Sequence, residues 1–138
     1  MIYCLRAICF ALSVTLCSTA FAGDFDDILD VKLRPGWRGV DGRHVAGLDI
    51  VLAPGWKTYW RQPGDTGLSP GFDWSGSTNV AAVKIIWPAP KVTYDGAFRS
   101  IGYSNHVIFP LEIIPVSQGD ITLSGQISLG VCKDICIP

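Results

Sequence analysis

The sequence predicts an all-β domain, and three observations carry that prediction. Beyond Asp30 no window sustains the i, i+3, i+4 spacing of an amphipathic helix. Short runs rich in β-branched and aromatic residues alternate instead with Gly/Pro/Asp/Ser clusters. The last long run alternates apolar and polar residues with the period of two that a half-buried strand requires. This is the pattern of a sandwich or barrel.

The candidate strands follow in order. Residues 31–37 are the first, with the turn signal Arg34-Pro35-Gly36 within the run, and Val40-Asp41-Gly42 marks the next turn. Residues 44–52 put Leu48, Ile50 and Leu52 on one face and Asp49 on the other. After Ala53-Pro54-Gly55 comes a strand at 58–61, closed by Gln62-Pro63-Gly64-Asp65. A short turn-bounded strand is read in Phe72-Asp73-Trp74-Ser75-Gly76-Ser77, then strands at 83–87 and 107–114, and the turn Gln118-Gly119-Asp120. In the final run, 121–131, Ile121, Leu123, Ile127, Leu129 and Val131 share one parity, and Thr122, Ser124, Gln126 and Ser128 the other. If that strand runs on unbroken, Cys132 faces solvent; a bulge at Gly130 would reverse the assignment.

With 49% hydrophobic and 17% charged residues, the 138-residue chain suits one globular domain without internal repeats. A formal charge of −1 provides no footprint for nucleic acid or an anionic membrane. Residues 1–22 read as a cleavable secretory signal: Arg6 is the only charge, Ile8 to Leu16 are apolar, and Ala20-Phe21-Ala22 offers the cleavage site. The apolar run is too short for a convincing membrane span. Residues 23–138 then form the domain. Cys4, Cys9 and Cys17 leave with the signal, so Cys132 and Cys136 remain in an exported chain, where neighbouring thiols usually pair.

In an extended chain the Cα atoms of Cys132 and Cys136 would lie about 13 Å apart, and a disulfide needs roughly 4.4–6.8 Å. The chain must therefore turn over Lys133-Asp134-Ile135, as a three-residue hairpin loop allows. Three chemistries suit the pair. As a staple, so small a loop contributes only about 2 kcal/mol. As a Cu(I) clip, two soft thiolates would need a third ligand from His44 or His106. As a redox pair, they need an exposed sulfur and a neighbour that adjusts the thiolate fraction; Lys133 favours a thiolate and Asp134 opposes it.

Several motifs then carry a resemblance. The stretch from Pro54 to Gly67 (PGWKTYWRQPGDTG), Phe72 to Asn79 (FDWSGSTN), Trp87-Pro88-Ala89-Pro90, Gly102-Tyr103 and the terminal CKDICIP resemble the N-terminal periplasmic domain of DsbD-type thiol:disulfide interchange proteins. The likeness is nearest to the branch that includes copper-tolerance relatives, and it runs from about Val31 to the end. It implies an immunoglobulin-like β-sandwich in the periplasm. It also implies that Cys132 and Cys136 receive reducing equivalents from a thioredoxin-like or membrane electron-transfer domain and pass them to oxidised periplasmic thiol proteins, with no small-molecule cofactor. Cys136 is the favoured attacking sulfur and Cys132 the resolving one.

The same resemblance implies an aromatic cap over the pair. The matching segment here is Tyr94-Asp95-Gly96-Ala97-Phe98-Arg99, with Phe98 the first choice and Tyr94 the second. Asp95 would raise a thiol pKa if it sits near the sulfurs, and Tyr59 aligns with a tyrosine that lines the family's active site. The chain departs from the better-known members in its three-residue spacing, tighter than their five. Those members also continue after the pair, so the sequence reads as the front part of a longer protein. A different class, a carbohydrate-binding sandwich, would use Trp56, Trp60, Trp74 and Trp87 as a coplanar exposed platform. No phosphate loop, H-E-x-x-H site or serine triad motif is present in the sequence.

Overall fold

The computed structural model describes residues 27–138; the expected signal segment, with its cleavage site and three cysteines, lies outside the described residues. Eleven strands follow in order: β1 (Leu29–Arg38), β2 (His44–Leu52), β3 (Lys57–Gly64), β4 (Gly71–Asp73), β5 (Ala82–Ile85), β6 (Lys91–Asp95), β7 (Phe98–Ser104), β8 (His106–Ile114), β9 (Gln126–Ser128), β10 (Val131–Cys132) and β11 (Cys136–Ile137). They make a four-stranded sheet β1-β2-β8-β5, a five-stranded sheet β11-β10-β3-β7-β6 and a ribbon β4-β9. All strand pairs are antiparallel. The expected all-β, immunoglobulin-like sandwich is what forms.

Alternation dictates which faces meet. Leu48, Ile50 and Leu52 of β2 and Phe109, Leu111 and Ile113 of β8 are buried on the inner face of the first sheet. Tyr103 of β7 and Val131 of β10 belong to the same core from the second sheet, and the rings of Tyr103 and Phe109 meet at 5.2 Å between centroids. Trp87 lies 5.0 Å from Phe109 and Phe72 lies 6.0 Å from Trp87, edge-on, so an aromatic chain closes one side of the core. Trp56, Trp60, Trp74 and Trp87 all pack against the core. They therefore form no exposed stacking platform, and the carbohydrate-binding alternative loses its basis.

The chief departure from expectation lies in the run at 121–131. Instead of one long strand, it is an isolated bridge from Thr122 to Thr78, then β9 beside β4, then β10 beside β3. Glycines permit the two changes of direction. A Cβ on Gly125 would lie 2.2 Å from the Asp73 carbonyl oxygen, and one on Gly130 would lie 2.6 Å from Leu68 Cβ. At the second of these points the chain leaves the ribbon and enters the five-stranded sheet, carrying the cysteines with it.

Candidate active site

The pair sits at one edge of the five-stranded sheet. β10 and β11 form a hairpin whose register sets Cys132 opposite Cys136, with the Lys133 N–H donating to the Ile135 carbonyl at 3.0 Å across the turn. The two sulfurs are bonded and the Cα atoms lie 4.1 Å apart. The three-residue loop expected from the spacing is thus the one observed.

Exposure is distributed otherwise than parity suggested. Cys132, expected on the solvent side, is only 2% exposed, whereas Cys136 is exposed. β10 is an interior strand with β11 on one side and β3 on the other. Cys132 pairs with Lys57 and Val131 with Thr58, so Val131 and Thr58 face the core while Cys132, Lys57 and Tyr59 share the outer face. The loop after β3 then crosses that outer face. Gly67 abuts the Tyr59 ring, where a Cβ would lie 2.5 Å from Cδ1, and Leu68 abuts Gly130. Asp65 fastens this loop by donating its N–H to the Arg99 carbonyl at 2.7 Å and accepting the Arg99 N–H on its carboxylate at 2.8 Å. Cys132 is thus buried on an outer face where this loop packs on its neighbours Tyr59 and Gly130.

Tyr59 is the one expected lining residue that reaches the pair. It is 2% exposed, and its hydroxyl lies 3.9 Å from the Cys136 Sγ. Burial pushes its phenol pKa up, so the O–H stays protonated and donates towards the sulfur. A thiolate at Cys136 would therefore face a ready donor.

Tyr94, Asp95 and Phe98 stand elsewhere. They form the tip of the β6–β7 hairpin, where Asp95 pairs with Phe98 across a turn whose Gly96 has φ of 59°. Tyr94 is 72% and Phe98 59% exposed. Ser104 pairs with Lys57, which in turn pairs with Cys132, so Phe98 lies six residues further along β7, roughly 20 Å at strand rise. The structure thus brings none of the three to the sulfurs, and the loop carrying Gly67 and Leu68 covers the pair's face instead. Sequence reading missed that role. Its available signal was the dense Gly/Pro content of 62–70 directly after the Tyr59 strand.

Both histidines belong to the other sheet. His44 contacts the Pro35 carbonyl, and the His106 Nε2 lies 2.7 Å from Asp49 Oδ1. Asp49 also accepts from Arg34 Nε at 2.8 Å and Nη2 at 2.6 Å. These bonds, first from Arg34 and then from His106, hold the Asp49 carboxyl below its usual range. Among the described residues no group of three or more His, Cys, Asp or Glu gathers as a metal site, and neither histidine is placed to complete a copper site at the pair.

Comparison with known proteins agrees with this architecture. The family described as "Thiol:disulfide interchange protein DsbD, N-terminal" matches residues 28–138. The crystal structure of the N-terminal periplasmic domain of ScsB from Proteus mirabilis superposes with a TM-score of 0.66 at 32% identity, covering 80% of this chain and 43% of that one. This chain therefore spans less than half the length of that structure. No curated protein matches it.

Proposed function

The chain belongs to the family of DsbD N-terminal domains, and from that premise we propose that Cys132 and Cys136 are a periplasmic electron relay. The observation that carries the proposal is the asymmetry of the bond: one exposed sulfur, Cys136, joined to one buried sulfur, Cys132, with the Tyr59 hydroxyl beside the exposed one. An attacking thiolate reaches only the exposed sulfur.

The exchange has two halves. In the reduced pair, the Cys136 thiolate attacks one sulfur of a client's disulfide, forming a mixed disulfide and expelling the client's other sulfur as a thiolate. Cys132 then attacks the Cys136 Sγ, re-forming the internal bond and releasing the client as a dithiol. The pair is oxidised by two electrons and the client reduced by two. A donor dithiol, supplied by a thioredoxin-like or membrane electron-transfer domain, runs the reverse sequence by attacking Cys136 and expelling Cys132.

The periplasmic setting is supported by the expected signal segment and by the periplasmic origin of the matched ScsB domain. The test is the reduction potential of the pair, measured by titration with glutathione or dithiothreitol. A value of roughly −180 to −270 mV supports the relay. One well below about −300 mV would make the bridge a structural staple, a reading that the burial of Cys132 alone would also suit.

A further inference from the structure

The positive groups of the two sheets are treated differently. On the four-stranded sheet and its β1–β2 turn, Lys32, Arg34, Arg43 and Lys84 each pair with a carboxylate of Asp30, Asp41, Asp49 or Glu112, and Arg38 donates to the Gly119 carbonyl. On the pair's face of the five-stranded sheet, Lys57 and Lys91 have no carboxylate partner among the described residues. They line one small cavity of about 40 Å³, together with Thr93, Ser100, Ser104 and Tyr59. Gly102 also lines it, and β3 packs so closely there that a Cβ would lie 2.0 Å from the Thr58 carbonyl oxygen.

This notch is built. Ser100 is 4% exposed, and its Oγ lies 3.4 Å from the Lys57 Nζ and 3.3 Å from the Thr66 Oγ1. Two ammoniums and a set of hydroxyls make a site for an anion, and the cavity has room for a few waters or one carboxylate group. Its position ties it to the redox pair. Lys57 is one strand from Cys132 and Lys91 three, so the lysines stand about 5 to 15 Å away across the sheet. Tyr59 is the shared wall, lining the notch while its hydroxyl reaches the Cys136 Sγ. The carboxylates nearest in sequence to this region are occupied or set on turns: Asp65 accepts the Arg99 N–H, Asp95 is exposed at the tip of the β6–β7 hairpin, and Asp134 is exposed between the cysteines.

We infer that this notch receives a carboxylate side chain lying beside the reactive cysteine of the exchange partner, so that the pair prefers partners with an acidic rim. The inference rests on the relay reading and adds the chemistry of the partner to it. Charge complementarity of this kind raises encounter rates and fixes orientation, and added salt weakens it.

Two chromogenic disulfides test it against the reduced, purified chain. One is 5,5′-dithiobis(2-nitrobenzoate), a dianion with a carboxylate near each sulfur; the other is neutral 4,4′-dithiodipyridine. The ratio of their second-order rate constants cancels any change in thiolate fraction. The ratio should fall about tenfold in Lys57→Gln/Lys91→Gln, fall with added salt in the parent but not in that variant, and recover in Lys57→Arg/Lys91→Arg. Lys32→Gln/Lys84→Gln, which removes the same two charges from the opposite sheet, should leave it unchanged. A ratio that does not move, or that moves equally in Lys32→Gln/Lys84→Gln, overturns the notch. If the neutral probe reacts normally while the ratio stays fixed, the notch fails and the relay stands. If the pair resists reduction, or neither probe reacts with it once reduced, both fall.

Discussion

Reducing the Cys132–Cys136 bond should lower the melting temperature of the domain by about 9 °C and leave it folded. The closed loop is minimal, since only Lys133, Asp134 and Ile135 separate the cysteines, and loop-closure entropy for so short a loop contributes about 2 kcal/mol. Unfolding roughly 110 ordered residues at about 2.1 cal/mol/K each gives an entropy near 0.23 kcal/mol/K, and the quotient is the expected shift. The location of the bond supports the estimate. The buried core runs through Leu48, Ile50, Phe109, Leu111, Ile113 and Tyr103, and Cys132 is not among the residues of that cluster. Reduction frees a two-residue edge strand, β11, and leaves the β3–β7 and β2–β8 pairings untouched. Thermal melts followed by circular dichroism, with and without a phosphine reductant, provide the measurement. A relay must stay folded in both oxidation states, so a reduced chain that melts more than about 20 °C lower, or is unfolded at 25 °C, would refute this reasoning and return the bridge to a structural role.

Three further outcomes are expected. In single-cysteine variants, Cys132→Ala should form a trapped mixed disulfide through the exposed Cys136 at least about tenfold faster than Cys136→Ala does through the buried Cys132; equal rates would mean that the burial of Cys132 does not govern access. Gly67→Ala should destabilise by about 1–3 kcal/mol in a denaturant titration, because its Cβ would sit 2.4 Å from Pro63 Cβ and 2.5 Å from Tyr59 Cδ1, whereas Gly71→Ala, whose Cβ would meet only Ser128 Cβ at 3.7 Å, should cost much less. Asp49→Asn should melt below the parent at pH 7. The folded-state pKa of Asp49 is lowered from 3.8 by Arg34 and His106, so its contribution is complete above that value and is lost as pH falls through the folded pKa; a deficit that fails to narrow below about pH 4 would show that Asp49 acts by other means.

Much of this fold is legible in the sequence where burial is decided by alternation alone. β2 begins and ends where the pattern places it, and the apolar parity of Leu48, Ile50 and Leu52 is the parity that is buried. Asp49 points away from the core as expected, yet it is 6% exposed, because Arg34 and His106 from flanking strands close over it. Alternation assigns a face, and neighbours decide whether that face is wet. The β6–β7 hairpin was absent from the expected strands for a related reason. All five β6 residues are exposed, so the brief alternation of Val92 and Tyr94 within Lys91–Asp95 marks no buried face, and only its pairing with β7 makes it a strand.

The same distinction assigns the chemistry of the two sulfurs. The motif C-x-x-x-C is nearly symmetric, and Lys133 and Asp134 between the cysteines leave the sign of any local charge effect undecided. Folding breaks the symmetry by position. A hairpin at a sheet edge must put one cysteine on a strand with two neighbours and the other on a strand with one, and here those are Cys132 on β10 and Cys136 on β11. The inner sulfur gains Lys57 as its cross-strand neighbour and the cover of the loop after β3, while the outer one gains open solvent and the Tyr59 hydroxyl. In the relay proposed here, attack at Cys136 and departure of Cys132 would follow from strand order, which the spacing of the cysteines alone does not reveal.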